Sequence, residues 1–239
     1  KNNFPTGKIK ESLALFVAAT QEVDIDIKNH GLLGISNLTN RGYITEDKIS
    51  EILNIIIATS KDNYTKENAL FAMNTLIRTD KSPLGIIQIQ VVLDLFIESV
   101  RNENINIRKN AIQLIIPLID NNKIQIDSAN EILMVLERLI ESEIDTHIRH
   151  NLIVVITKLV EHELIPENKI EKILAILIAY KESGAIFFDG ISEIEKGEIV
   201  SIADGTIINK IQTICSSISF LISQAKNNPN SKIRDTIVK

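Results

Sequence analysis

One short phrase occurs five times in this chain. Asp or Asn is followed after two residues by Ile or Thr, and then by Lys or Arg. The copies are Asp24-x-x-Ile27-Lys28, Asp62-x-x-Thr65-Lys66, Asn104-x-x-Ile107-Arg108, Asp145-x-x-Ile148-Arg149 and Asn230-x-x-Ile233-Arg234. Their basic residues stand 38, 42, 41 and 85 positions apart, and the last interval is close to two periods. A helical unit recurring every ~40 residues buries its apolar face only by stacking on its neighbours, which predicts an all-α solenoid.

Laid in register, the phrase opens the first helix of each repeat. Its Asp or Asn is suited to accept an orphan backbone N–H at the helix start. Counting from Ile27, Thr65, Ile107 and Ile148, the position four on holds Gly31, Ala69, Ala111 and Leu152. Eight on stand Ile35, Met73, Ile115 and Ile156, and eleven on Leu38, Leu76, Leu118 and Leu159. That is one helical stripe. A second helix follows, with expected anchors Ile49, Ile87, Ile132, Ile170 and Ile211, and with Thr45, Pro83, Ser128, Pro166 and Ile207 four residues earlier. Proline is well placed there, because the first helical turn needs no N–H. The third repeat separates Ile107 from its anchor by 25 residues against 22 in the others, so Asp120–Asp127 is expected to hold three extra residues.

The expected layout is a single solenoid over 1–239. It has a half-repeat at 4–22, repeats at 23–62, 63–103, 104–143 and 144–183, an irregular repeat at 184–226 and a partial one at 227–239. The chain starts with Lys and begins and ends inside repeats, which suggests a piece of a longer protein.

Asn104, Ile107, Arg108, Ala111, Ile115 and Leu118, and again Asp145, Ile148, Arg149, Ile156 and Leu159, resemble the HEAT-repeat phrase, with armadillo repeats as near relatives. The resemblance covers most of 4–183. It implies a right-handed α-solenoid of two-helix repeats whose curved surface binds other macromolecules. Gly31 and Gly34 depart from the pattern, as does Thr65, and 184–226 lacks the phrase.

Composition narrows the function classes. Hydrophobic residues make up 44% and charged residues 24%, as in a globular chain. The net charge of −5 speaks against a broad phosphate-binding face, and aromatics at 4% with no Trp against base stacking. Nucleic acid is therefore not an expected partner. Cys215 is the single cysteine, which fits a reducing, cytoplasmic setting and excludes a disulfide within the chain. No apolar run has the length of a membrane span. No cofactor is expected.

Two columns carry the candidate surface. Lys28, Lys66, Arg108 and Arg149, with Arg234, form either a cationic strip or a structural ladder. In the ladder each cation meets a capping Asp24, Asp62, Asn104 or Asp145 of a neighbouring repeat, and the resemblance favours this reading. Two residues on stand His30, Asn68, Asn110 and Asn151. A primary amide both donates and accepts, so the three Asn suit either an extended peptide backbone or bonds between repeats. His147 and His150 lack the accompanying acid of a metal motif, and Cys215 lies in an apolar stretch, so neither is expected to be a ligand or nucleophile.

The stretch 184–205 interrupts the pattern with four glycines and adjacent Phe187 and Phe188. Ile191–Glu195 and Glu198–Ile202 predict a hairpin or a distorted helix. This insertion either packs locally or docks a partner. No nucleophile–base pair or phosphate-cradling glycine loop stands out. The expectation is a non-enzymatic scaffold for a protein or peptide. The alternative is a HEAT-like enzyme or chromophore- or ligand-handling protein of the bilin-lyase kind, which needs a deep polar pocket; ranked below it is a solenoid that binds nucleic acid along the basic strip.

Overall fold

The computed structural model describes residues 6–79, 84–143, 145–182, 216, 219–220 and 222–223. Among them are nine α-helices and no strand: α1 (Thr6–Ala19), α2 (Ile25–Asn40), α3 (Glu46–Thr59), α4 (Lys66–Ile77), α5 (Ile86–Ser99), α6 (Ile105–Asp120), α7 (Ile126–Ser142), α8 (Thr146–Glu161) and α9 (Ile170–Glu182). The helices pack as a helical repeat. They fall into two compact units, Lys1–Lys123 and Ile124–Lys239. Phe187, Phe188, Cys215 and Arg234, the proposed hairpin, and nearly all of 184–239 lie outside the described residues.

In the first unit α2, α4 and α6 lie side by side, while α1 packs on α2, α3 on α4 and α5 on α6. These first helices are built as the columns imply. Ile35, Met73 and Ile115 are fully buried, as are Leu76 and Leu118. Burial of each such side chain contributes roughly 1.5–3 kcal/mol. In the second unit α7 packs on α8, and a 3-10 turn, Glu167–Lys169, leads into α9. Ile156 and Leu159 continue the same columns there, fully buried.

The capping residues behave as expected in three repeats. Asp24 accepts from the N–H groups of Asp26 and Ile27, Asn104 from Asn106 and Asp145 from Ile148. The second repeat differs. Asp62 accepts from the Tyr64 N–H within a turn, and α4 begins only at Lys66, behind Thr65. The last column also sets how first helices end. The carbonyls of Leu38, Leu118 and Leu159 accept from Tyr43, Lys123 and Leu164, and the residues just before those donors, Gly42, Asn122 and Glu163, have positive φ. This is the Schellman arrangement, which satisfies carbonyls that the last turn leaves open.

Two register expectations for the second helices fail. Ile87 was the expected anchor of α5, yet it is 81% exposed. The buried face of α5 is Val92, Leu93 and Phe96, which match Ile52, Leu53 and Ile56 of α3 forty residues earlier. In α7 the same set is Ile132, Leu133 and Leu136, so Ile132 matches Ile52 and Ala129 takes the place of Ile49. The helix starts agree, since the cap positions Thr45, Gly85 and Gln125 are spaced by forty. The third repeat therefore has no three-residue extension between its helices. It is α4 that sits two residues early, which lengthens the connection between α4 and α5.

Candidate functional site

The basic column places its members differently from one another. Lys66 is 4% exposed and its ammonium meets Glu98 Oε1 of α5 at 2.6 Å, inside the same repeat. Arg108 folds back on the turn before its helix and donates to the carbonyls of Asn102 and Glu103 at 3.0 and 3.1 Å. Arg149 donates in the same way to the Glu143 carbonyl. Thr65 bridges its own turn with its hydroxyl, which donates to the Thr59 carbonyl at 2.7 Å. The Thr65, Arg108 and Arg149 contacts tie a second helix to the first helix that follows. Lys28 stands apart: it is half-buried, and among the described residues its ammonium has no hydrogen bond or ion pair.

The amide column works between repeats in the first unit. Asn68 Nδ2 donates to Asn29 Oδ1 at 2.9 Å, and Asn110 Nδ2 donates to the Glu67 carbonyl at 3.1 Å. His30 Nδ1 lies 2.6 Å from the Asp26 carbonyl of its own helix. Asn151 is half-buried on α8. Its neighbour His150 is buried, with Nδ1 2.8 Å from the Tyr180 hydroxyl, while His147 is exposed. The two histidines are thus in different surroundings. Among the described residues no three His, Cys, Asp or Glu side chains group as a metal site.

An open groove lies in the first unit along α1 and α3. Thr20 and Gln21 line it at the end of α1, Asn54, Ile55, Ala58 and Thr59 along α3, and Lys28, Lys61 and Asp62 complete it. Its volume is about 640 Å³, within the usual range of ligand clefts, ~300–1,000 Å³. Apolar and amide side chains alternate on its wall with two cations, so it offers contact area, hydrogen bonds and charge together. The position of α1 beside it depends on glycine. A Cβ on Gly31 would lie 2.7 Å from the Phe16 carbonyl oxygen, and one on Gly34 2.4 Å from the Phe16 ring. The two glycines that break the repeat phrase are what let α1 approach α2.

The next gap, between α3 and α5, is bridged. Gln88 Nε2 of α5 reaches the Ser50 hydroxyl at 2.8 Å, the Asn54 Oδ1 at 3.0 Å and the Ser50 carbonyl at 3.3 Å. Lys48 holds the matching position forty residues earlier, but it pairs with Glu51 of its own helix at 2.7 Å. That bond raises the Lys48 pKa, and a hydrogen bond from the Thr45 side chain lowers that of Asp47. Of the groove's side chains, Lys28 belongs to the basic column and Asp62 to the capping residues, and the others to neither. Gln21, Asn54 and Ala58 were missed, and the exchange of Lys48 for Gln88 was the signal that could have found them.

No protein-family model matches the chain, and no curated protein matches it in sequence. Solved structures do match in fold. One is an engineered protein, Northeast Structural Genomics Consortium target OR329, with a TM-score of 0.56 and 11% identity, over 88% of this chain and 96% of that one. Another engineered protein, target OR497 of the same consortium, gives a TM-score of 0.54 and 13% identity, over 90% of this chain and 51% of that one. At such identity the likeness shows the helical fold alone.

Proposed function

We propose that this chain is a HEAT/armadillo-like scaffold that binds a protein or peptide and catalyses nothing. In this reading the repeats stack with a right-handed turn, no cofactor takes part, and the chain works in the cytoplasm. The supporting observation is the groove along α1 and α3, an open cleft whose Lys28 and Lys61 have no hydrogen-bond or ion-pair partner among the described residues. In the first unit the amides of Asn68 and Asn110 already bond between repeats, so the groove is the better place for a partner than the amide column.

Displayed random peptides selected on the intact chain test this. Ala58 is exposed on the groove wall, so Ala58→Trp fills the cleft while leaving the core alone. Selected peptides are expected to bind this variant at least about tenfold more weakly, as when a central anchor of an interface is displaced. Met134→Glu, an exposed change in the second unit, is the control. Equal binding to both variants would show that the groove is not the binding surface.

A further inference from the structure

We infer that the groove receives an acidic, extended peptide segment and seats one of its carboxylates on Lys28, with Lys61 beside it; this rests on the peptide-binding reading above. The second repeat shows the arrangement already filled. There Lys66, the counterpart of Lys28, is paired with Glu98 at 2.6 Å. Forty residues before Glu98, at the same register of the second helix, stands Ala58. The first repeat thus keeps the cation, lacks the carboxylate, and has an open groove lined by both Lys28 and Ala58. A carboxylate entering from outside would take the part that Glu98 plays one repeat later.

The rest of the wall suits such a segment. Ile55 and Ala58 offer apolar contact. Asn54 Oδ1 already accepts from Gln88, which leaves its NH2 to donate to a peptide carbonyl. Among the described residues the Gln21 amide has no hydrogen bond and the exposed Lys61 no ion pair. The acidic side chain on the wall, Asp62, already accepts the Tyr64 N–H. The groove is therefore locally cationic in a chain of net charge −5. That pattern favours a short-range, charge-assisted contact over long-range attraction.

The peptides selected above serve as probes on the intact chain, with Ala58→Glu, Ala58→Gln, Lys28→Gln and Lys28→Arg as variants. The expected selection is rich in Asp and Glu. Lys28→Gln should weaken binding about tenfold and Lys28→Arg should retain most of it, as for a charge-assisted contact in a half-buried site. Ala58→Glu supplies the missing internal carboxylate and should weaken binding about tenfold more than the isosteric Ala58→Gln. If Ala58→Trp blocks binding while Lys28→Gln does not, and Glu and Gln at position 58 behave alike, the acidic partner is wrong and the groove reading stands. Peptides indifferent to Ala58→Trp, or no enrichment over bare support, overturn both. A single-stranded oligonucleotide that binds the chain but not Lys28→Gln would overturn the peptide in favour of nucleic acid.

Discussion

Two successive gaps between second helices, α1 to α3 and α3 to α5, share the forty-residue register but differ in what crosses them. Gln88 spans the later gap with one amide and three acceptors on α3. At the matching place in the earlier gap, Lys48 turns to Glu51 of its own helix, and the cleft stays open. The same pair of repeats differs again at the cation, where Glu98 faces Lys66 and Ala58 stands near Lys28. The two repeats thus differ at these side chains, and also at Gly31 and Gly34, where the second repeat has Ala69 and Ala72.

The strongest way to break the contrast is to move α1. Gly31→Ala drives a methyl group into the Phe16 carbonyl. Overpacking of this kind costs ~1–3 kcal/mol, and the helix-forming gain of Ala over Gly, about 1 kcal/mol, offsets part of it. Because the clash is with backbone, the upper end of that cost applies, and a net loss of about 2 kcal/mol is expected, read as a lower urea midpoint at constant slope. Unchanged or raised stability would mean that α1 is not seated through this glycine. Gln88→Ala removes the bridge over the later gap and should cost about 1 kcal/mol, since the bonds lie in partly solvated surroundings. It should also speed amide exchange in α3 and α5 without changing α1.

The smallest effect concerns the turn leading into α3. The Thr45 side chain holds the Asp47 carboxyl below its ordinary range. A depressed carboxyl contributes stability above its unfolded pKa and loses it as the pH falls through the folded one. Thermal midpoints of the native chain and of Asp47→Asn should therefore differ slightly at neutral pH and converge in strong acid. A difference that grew on acidification would contradict this.

Much of the fold was legible because caps and columns are local. Asp24, Asn104 and Asp145 cap their helices through contacts within three residues, and Leu76, Leu118 and Leu159 each fall on the buried stripe of their own helix. The register of α5 was not legible. Ile86, Ile87, Ile89, Val91 and Val92 present an almost unbroken apolar run, so periodicity alone does not choose the inner face, and Pro83 pointed to a start two residues too early. The candidate site was hidden for a different reason. Its walls come from α1 and α3, and the state of Lys28 depends on which residue stands thirty positions away at Ala58. A column shows that four cations share a place, but only packing shows that one of them lacks a partner among the described residues.

The folded-back side chains have a consequence for where this chain can grow. Thr65 reaches Thr59, Arg108 reaches Asn102, and Arg149 reaches Glu143, each spanning six residues of a turn that joins a second helix to the next first helix. A side chain of fixed reach acts as a gauge of loop length. Inserted residues would carry its acceptor out of range and leave a polar group without its bond. The lengthened connection, between α4 and α5, lies on the opposite edge, where a first helix leads into a second. Length variation in this architecture is therefore channelled to one edge of the repeats, which leaves the gauged edge uniform enough to keep successive units in step.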